Sequence, residues 1–177
     1  DFNHKTVLDI GASTGGFTDY ALRRGAKTVY AVDVGSSQLH PSLLEDARVV
    51  CLEKTDIRDV AAASSAGRAR LPERPDIILA DLSFISLRLV LPHIGSLAGK
   101  YTVLVLLFKP QFEAGRTNLS RGVVKNDTVR RRLLKQFEAW LAPDFQILAK
   151  TDSPIKGTKG NRETFYMLKV RSQRFKR

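Results

Sequence analysis

Six charged side chains stand at the ends of short apolar runs, where a strand would hand over to a turn. Asp9 is followed by Gly11, Ala12, Ser13, Thr14, Gly15, Gly16 and Phe17, a glycine-rich turn opening a helical pattern. Glycines in such a turn let the backbone bend tightly and approach a ligand closely. Asp33 comes 22 residues after Gly11, the separation at which an acid grips ribose hydroxyls in nucleotide-binding α/β folds. Asp56 sits just past the third apolar run. A dinucleotide site needs GxGxxG, so that a pyrophosphate can rest on the helix N-terminus, but Ser13 stands where the second glycine belongs. Asp9, two residues before Gly11, suits a cationic ligand better than a phosphate. Further along, Asp81 and Lys109 close two more apolar runs, and Glu163 opens the last one. Lys109 follows six apolar residues, and partial desolvation there favours the neutral amine, a form suited to taking a proton. Taken singly, Asp81 also fits a helix cap, Lys109 a surface residue and Glu163 a turn; together on one rim they point to a site.

The elements that must position these groups follow from periodicity. Strands are expected at 6–10, 28–33, 48–52, 76–81, 102–108, 145–150 and 164–170. Between them Phe17, Ala21 and Leu22, and then Leu87, Val90, Leu91, Ile94 and Leu97, recur at helical spacing. The clearest helix is 127–141, with Asn126 or Asp127 as N-cap and Pro143 as stop. Strands alternating with helices imply an α/β domain with a mostly parallel seven-stranded sheet and helices on both faces. The last two strands, separated by Pro154, Gly157 and Gly160, read as an antiparallel pair. Residues 61–75 read as a helix end running into a loop, and 171–177 as a frayed basic tail, which leaves 1–170 as the domain. In such a fold ligands bind at the switch point of the sheet, beside the ends of strands four and five.

Charge divides the chain. Its net charge is +11, and residues 109–177, with 17 basic and 6 acidic side chains, hold all of the surplus. A polyanionic partner follows from that balance. Arg116, Arg121, Lys125, Lys156, Lys159 and Arg162 are the candidate contacts; the run Arg130–Arg131–Arg132 reads rather as the solvated face of a helix. The hydrophobic fraction of 43% supports a real core and argues against disorder. The longest apolar run falls far below the ~20 residues of a membrane span. One cysteine, Cys51, expected as a buried reduced thiol, and three dispersed histidines argue against disulfides and a metal cluster, and place the protein in a cytoplasmic, reducing compartment.

The residues at 9–17, 31–39 (Ala-Val-Asp-Val-Gly-Ser-Ser-Gln-Leu), 81–87 (Asp-Leu-Ser-Phe-Ile-Ser-Leu) and 109–115 (Lys-Pro-Gln-Phe-Glu-Ala-Gly) resemble the TlyA-type proteins. These carry both a haemolysin label and a ribosomal RNA 2′-O-ribose methyltransferase label, and the wider group is the FtsJ-like RNA methyltransferases. The resemblance implies a Rossmann-like class I methyltransferase fold with S-adenosylmethionine as cofactor and RNA, ribosomal RNA or a ribosomal subunit, as partner. It places the cofactor on the 9–17 loop, on Asp33 with Val34 (ribose), on Asp56 with Ile57 (adenine), and on Asp81 with Leu82. It implies a Lys-Asp-Lys-Glu tetrad of which Asp81, Lys109 and Glu163 are the last three members. The first Lys lies upstream of the glycine loop in this family, and Lys5, four residues before Asp9, does not take that role. The family's S4-like RNA-binding domain has no room here, and the chain starts at Asp1 with Met167 its only methionine, so a catalytic domain of a longer protein is expected. Two competing readings are a membrane-lytic protein and a non-catalytic RNA-binding module on the same fold.

Overall fold

In the computed structural model, residues 1–62, 69–115, 119–124 and 126–171 are described. The elements run β1 (Thr6–Ile10), α1 (Gly16–Arg23), β2 (Thr28–Val32), α2 (Pro41–Leu44), β3 (Val49–Leu52), a 3₁₀ turn (Ile57–Asp59), β4 (Val60–Ala62), β5 (Ala69–Leu71), β6 (Ile77–Ala80), α3 (Leu87–Leu97), β7 (Val103–Phe108), α4 (Pro110–Glu113), α5 (Asp127–Leu141), β8 (Phe145–Asp152) and β9 (Thr164–Val170). The seven-stranded sheet has the order β3-β2-β1-β6-β7-β9-β8. It is parallel from β3 to β7, and β9 runs antiparallel to both β7 and β8. All seven strands expected from the apolar runs are present.

Strand alternation sends neighbouring side chains to opposite faces. Leu8 and Ile10 of β1 enter the larger apolar cluster, with Ile78, Ile94, Leu104, Phe108, Phe137 and Tyr166, under α3 and α5. Val7 enters the smaller one, with Ala21, Leu22 and Val29, under α1. β1 is buried at every position, with Val7, Leu8 and Ile10 as its apolar residues and Thr6 and Asp9 as buried polar ones. Helix α5 begins where Asn126 accepts hydrogen bonds from the Thr128 and Val129 amides at 2.8 and 3.4 Å, satisfying two otherwise orphaned donors.

Several expectations need correction. The stretch read as a helix end and loop instead contains β4 and β5, a small parallel pair; Val60 and Leu71 are buried in the larger cluster, and His93 Nε2 lies 2.8 Å from the Val60 carbonyl oxygen. Residues 63–68 lie outside the described part. Strand β8 runs on to Asp152 because Asp152 is held opposite Thr164 by Arg130. Arg130 therefore does not belong to a solvated face: it is buried, with Thr164 Oγ1 at 2.8 Å and the Arg162 carbonyl at 3.2 Å as further acceptors. Arg171, placed in the tail, closes the sheet edge through the Phe145 carbonyl at 3.0 Å, and 172–177 lie outside the described residues. Cys51 is half-buried on the edge strand β3, and burial raises its thiol pKa.

Candidate active site

The strand order reverses between β1 and β6, so a crevice opens at their C-terminal ends. The glycine turn fills one side of it. Gly11 adopts φ +80°, and a Cβ there would collide with the Asp81 carbonyl oxygen, so only glycine lets the two turns meet. Its amide donates to the Val32 carbonyl at 2.8 Å. Ser13, left-handed at φ +49°, donates its amide to Asp33 Oδ2 at 2.8 Å, and the Gly35 amide reaches Asp33 Oδ1 at 2.7 Å. Each carboxylate oxygen has a second lone-pair site, so Asp33 keeps acceptor capacity toward the cavity that it lines.

That cavity encloses about 470 Å³, within the range of small-molecule sites. Gly11, Ser13, Asp33, Val34, Asp56, Ile57, Asp81 and Leu82 of the expected set line it. Asp56 does so with both oxygens engaged by the Arg58 guanidinium at 2.9 and 2.6 Å, which holds its carboxyl down at about 2. The remaining loop residues do other work. Asp9 is fully buried beneath the turn, outside the cavity lining, where its Oδ2 accepts from Thr18 Oγ1 at 2.7 Å and Oδ1 has no hydrogen-bond partner. Desolvation pushes its carboxyl up to about 6, against the lowering by Thr18. Ala12 and Phe17 pack into the smaller apolar cluster. Gly15, at φ +97°, precedes α1 where a side chain would strike Leu39 and Leu43. Gly16 starts α1, and Thr14 accepts from the His40 amide at 3.2 Å. Sequence reading missed the polar or backbone-donating Gly35, Gln38, Thr55 and Ser83 in the lining, and the apolar Val32, Phe84, Ile85 and Val90. Only Gly35 carried a signal: a glycine two residues after an acid marks an Asx turn.

A second cavity of about 550 Å³ adjoins the first. Lys109, Glu163, Lys156 and Lys159 line it, as do Gln111 and Asn161. Lys109 Nζ lies 2.7 Å from Asp81 Oδ1 and 3.0 Å from Ser83 Oγ, with its side chain 13% exposed. Asp81 lines the first cavity and Lys109 the second, so this ion pair spans the boundary. The expected burial of Lys109 is present, and it comes with an ion pair to Asp81 and a hydrogen bond to Ser83. Glu163 is buried and accepts from Gln111 Nε2 at 2.9 Å. The walls are stitched by Asn161, whose Oδ1 accepts from the Val124 amide and whose Nδ2 donates to the Gly122 carbonyl, each at 3.0 Å. Phe84, 91% exposed, sets its ring 5.2 Å from that of Phe112 at the mouth. Lys5 lies at the opposite end of β1, 3.8 Å from Asp76.

Of the expected polyanion contacts, Lys156 and Lys159 border the second cavity, and Arg121 occupies the turn beside Gly122. Arg162 is engaged by Asp152 at 3.1 Å and Asp127 at 3.7 Å. Arg116 and Lys125 lie outside the described residues. Among the described residues no helix is long and apolar enough to cross a membrane.

Comparison with known proteins agrees with this geometry. The sequence profile of FtsJ-like methyltransferases matches residues 1–170. Hemolysin A of Brachyspira hyodysenteriae is 41% identical over 162 residues, 90% of this chain and 65% of that one. The 16S/23S rRNA (cytidine-2′-O)-methyltransferase TlyA of Mycobacterium tuberculosis is 41% identical over 172 residues, 96% of this chain and 62% of that one. A solved structure from Lactococcus lactis that carries the hemolysin name superposes with a TM-score of 0.87 at 38% identity, covering 98% of this chain and 81% of that one. The chain thus spans less than two thirds of the length of the two curated relatives.

Proposed function

Because the chain belongs to the FtsJ-like methyltransferase family, we propose that residues 1–170 form an S-adenosylmethionine-dependent domain that methylates RNA, ribosomal RNA in particular, on a ribose 2′-hydroxyl in the cytoplasm. The observation that carries this reading is the opposite charge of two joined cavities. Asp33, Asp56 and Asp81 are the charged residues lining the first, which suits a cation; Lys109, Lys156 and Lys159 outnumber Glu163 in the second, which suits a phosphate backbone.

The first cavity fits the cofactor by its donor set. The glycine turn brings backbone close, Asp33 retains lone pairs for ribose hydroxyls, and Ile10, Val32, Ile57 and Leu82 supply apolar walls. Bound S-adenosylmethionine supplies an electrophilic methyl group, so the protein's main task is alignment. Lys109, paired with Asp81 and hydrogen-bonded to Ser83, keeps N–H donors to orient the ribose hydroxyl. Gln111 holds Glu163 in the same wall. The exposed Phe84 ring offers a face on which a base can stack.

The test is methyl transfer from tritiated S-adenosylmethionine to ribosomal subunits by the full-length protein. Lys109→Ala is expected to abolish transfer and to leave the calorimetric affinity for the cofactor nearly intact. Undiminished turnover by that variant would end the assignment of Lys109.

A further inference from the structure

Lys109 has three N–H bonds: Ser83 Oγ at 3.0 Å accepts one of them, and the Asp81 carboxylate of the same loop holds the group as an ion pair, with Oδ1 at 2.7 Å. An ammonium group is tetrahedral, so once one N–H is held by an acceptor the directions of the other two are set. With the carboxylate alone, Nζ could swing around Asp81 on its flexible four-carbon stem. The hydrogen bond to Ser83 removes that freedom. Ser83 also stands where the direction matters, since among the described residues only Ser83 and Phe84 border both cavities.

The loop keeps its course independently of Ser83. At one end the Asp81 amide donates to the Ile10 carbonyl at 3.0 Å. At the other, Glu113, its side chain 3% exposed, accepts from Ser86 Oγ at 2.6 Å and from the Leu87 amide at 2.7 Å. Between them the Phe84 ring rests near that of Phe112. Ser83 itself is exposed, and the hydrogen bond of its hydroxyl goes to Lys109. Its side chain is therefore spare for folding and placed for aiming.

We propose that Ser83 is a positioning residue: by accepting from Lys109 it aims a remaining N–H into the second cavity, at the ribose hydroxyl to be methylated. This rests on the function proposed above. In the full-length protein, with tritiated S-adenosylmethionine and ribosomal subunits from cells lacking the gene, Ser83→Ala is expected to lower kcat about ten- to hundred-fold, the scale of a small misalignment. KM for the subunits and the calorimetric Kd for S-adenosylmethionine should stay at the wild-type values. Ser83→Thr, which keeps the hydroxyl, should recover most of kcat. The wild type and Lys109→Ala run alongside separate the two readings. An active wild type, an inactive Lys109→Ala and a fully active Ser83→Ala overturn the role of Ser83 alone. A wild type that transfers no methyl group to RNA overturns both. A loss that Thr does not recover, or a cofactor affinity that falls in step with kcat, makes Ser83 a loop residue and overturns its aiming role.

Discussion

The two cavities share a wall yet are built in different ways. The first lies at the switch point of the parallel sheet, and short turns with backbone donors hold its key acid: the Ser13 and Gly35 amides both close on Asp33. The second lies between loops, one after β7 and one between β8 and β9, and side chains hold it: Asn161 to Val124 and Gly122, Gln111 to Glu163. Backbone donors survive every side-chain change except one to proline and suit a small ligand of fixed shape. Side-chain stitching leaves loop backbone free to carry Lys156 and Lys159 on a rim that a large polyanion can reach. The acid–base boundary falls on one ion pair, Asp81–Lys109, where the two ligands would have to meet.

If that division is real, substitutions on one side should leave the other untouched. The largest effect should come from beneath the first cavity. The Asp9 carboxyl is raised to about 6 by burial, so the folded state holds its proton more tightly than the unfolded chain does. The cost of burying it is absent below about 4 and complete above about 6, worth roughly 3 kcal/mol for a shift of about two pH units. Stability should therefore fall as pH rises through that window. Asp9→Asn should remove this slope in urea unfolding curves; a parallel slope in the variant would mean Asp9 is not its source. Next comes Asp33→Asn, which discards the charge on a hydrogen-bonded acceptor. Calorimetry should give a cofactor Kd about ten- to hundred-fold weaker, with KM for RNA unchanged; loss of both would dissolve the distinction between the cavities. The smallest effect belongs to the joint change Lys156→Ala and Lys159→Ala. KM for RNA should rise several-fold and the salt slope of binding should drop by about 1.5, because two cations no longer displace counterions. The cofactor Kd should not move.

Much of the first region was legible in the chain itself. The buried strands are mostly apolar runs, and each acid of the first cavity comes at or just past the end of one, so Asp33, Asp56 and Asp81 could be placed by counting. Helix α5 could be read with its cap, because Asn126 bonds to amides two and three residues on. The second region resisted. Nothing local marks Arg130 as buried, since its partners Asp152 and Thr164 arrive from strands 22 and 34 residues away. Nor could spacing join Gln111 to Glu163, or tell that Asp9 would sink under the loop instead of lining the cavity. The β4–β5 pair escaped for the same reason: three-residue strands exist only through each other and the helix above them.

Left to itself, the sequence determined the sheet, its switch point and the acids beside it, together with a net charge confined to residues 109–177. These follow from periodicity and from turns whose partners are a few residues apart. Only the tertiary structure decided that Lys109 would pair with Asp81 and Ser83 across the boundary, and that Asn161 would bind two loops into one wall. Such contacts join residues far apart in the chain. They are made only once burial of the apolar strands has brought the ends of β6 and β7 side by side.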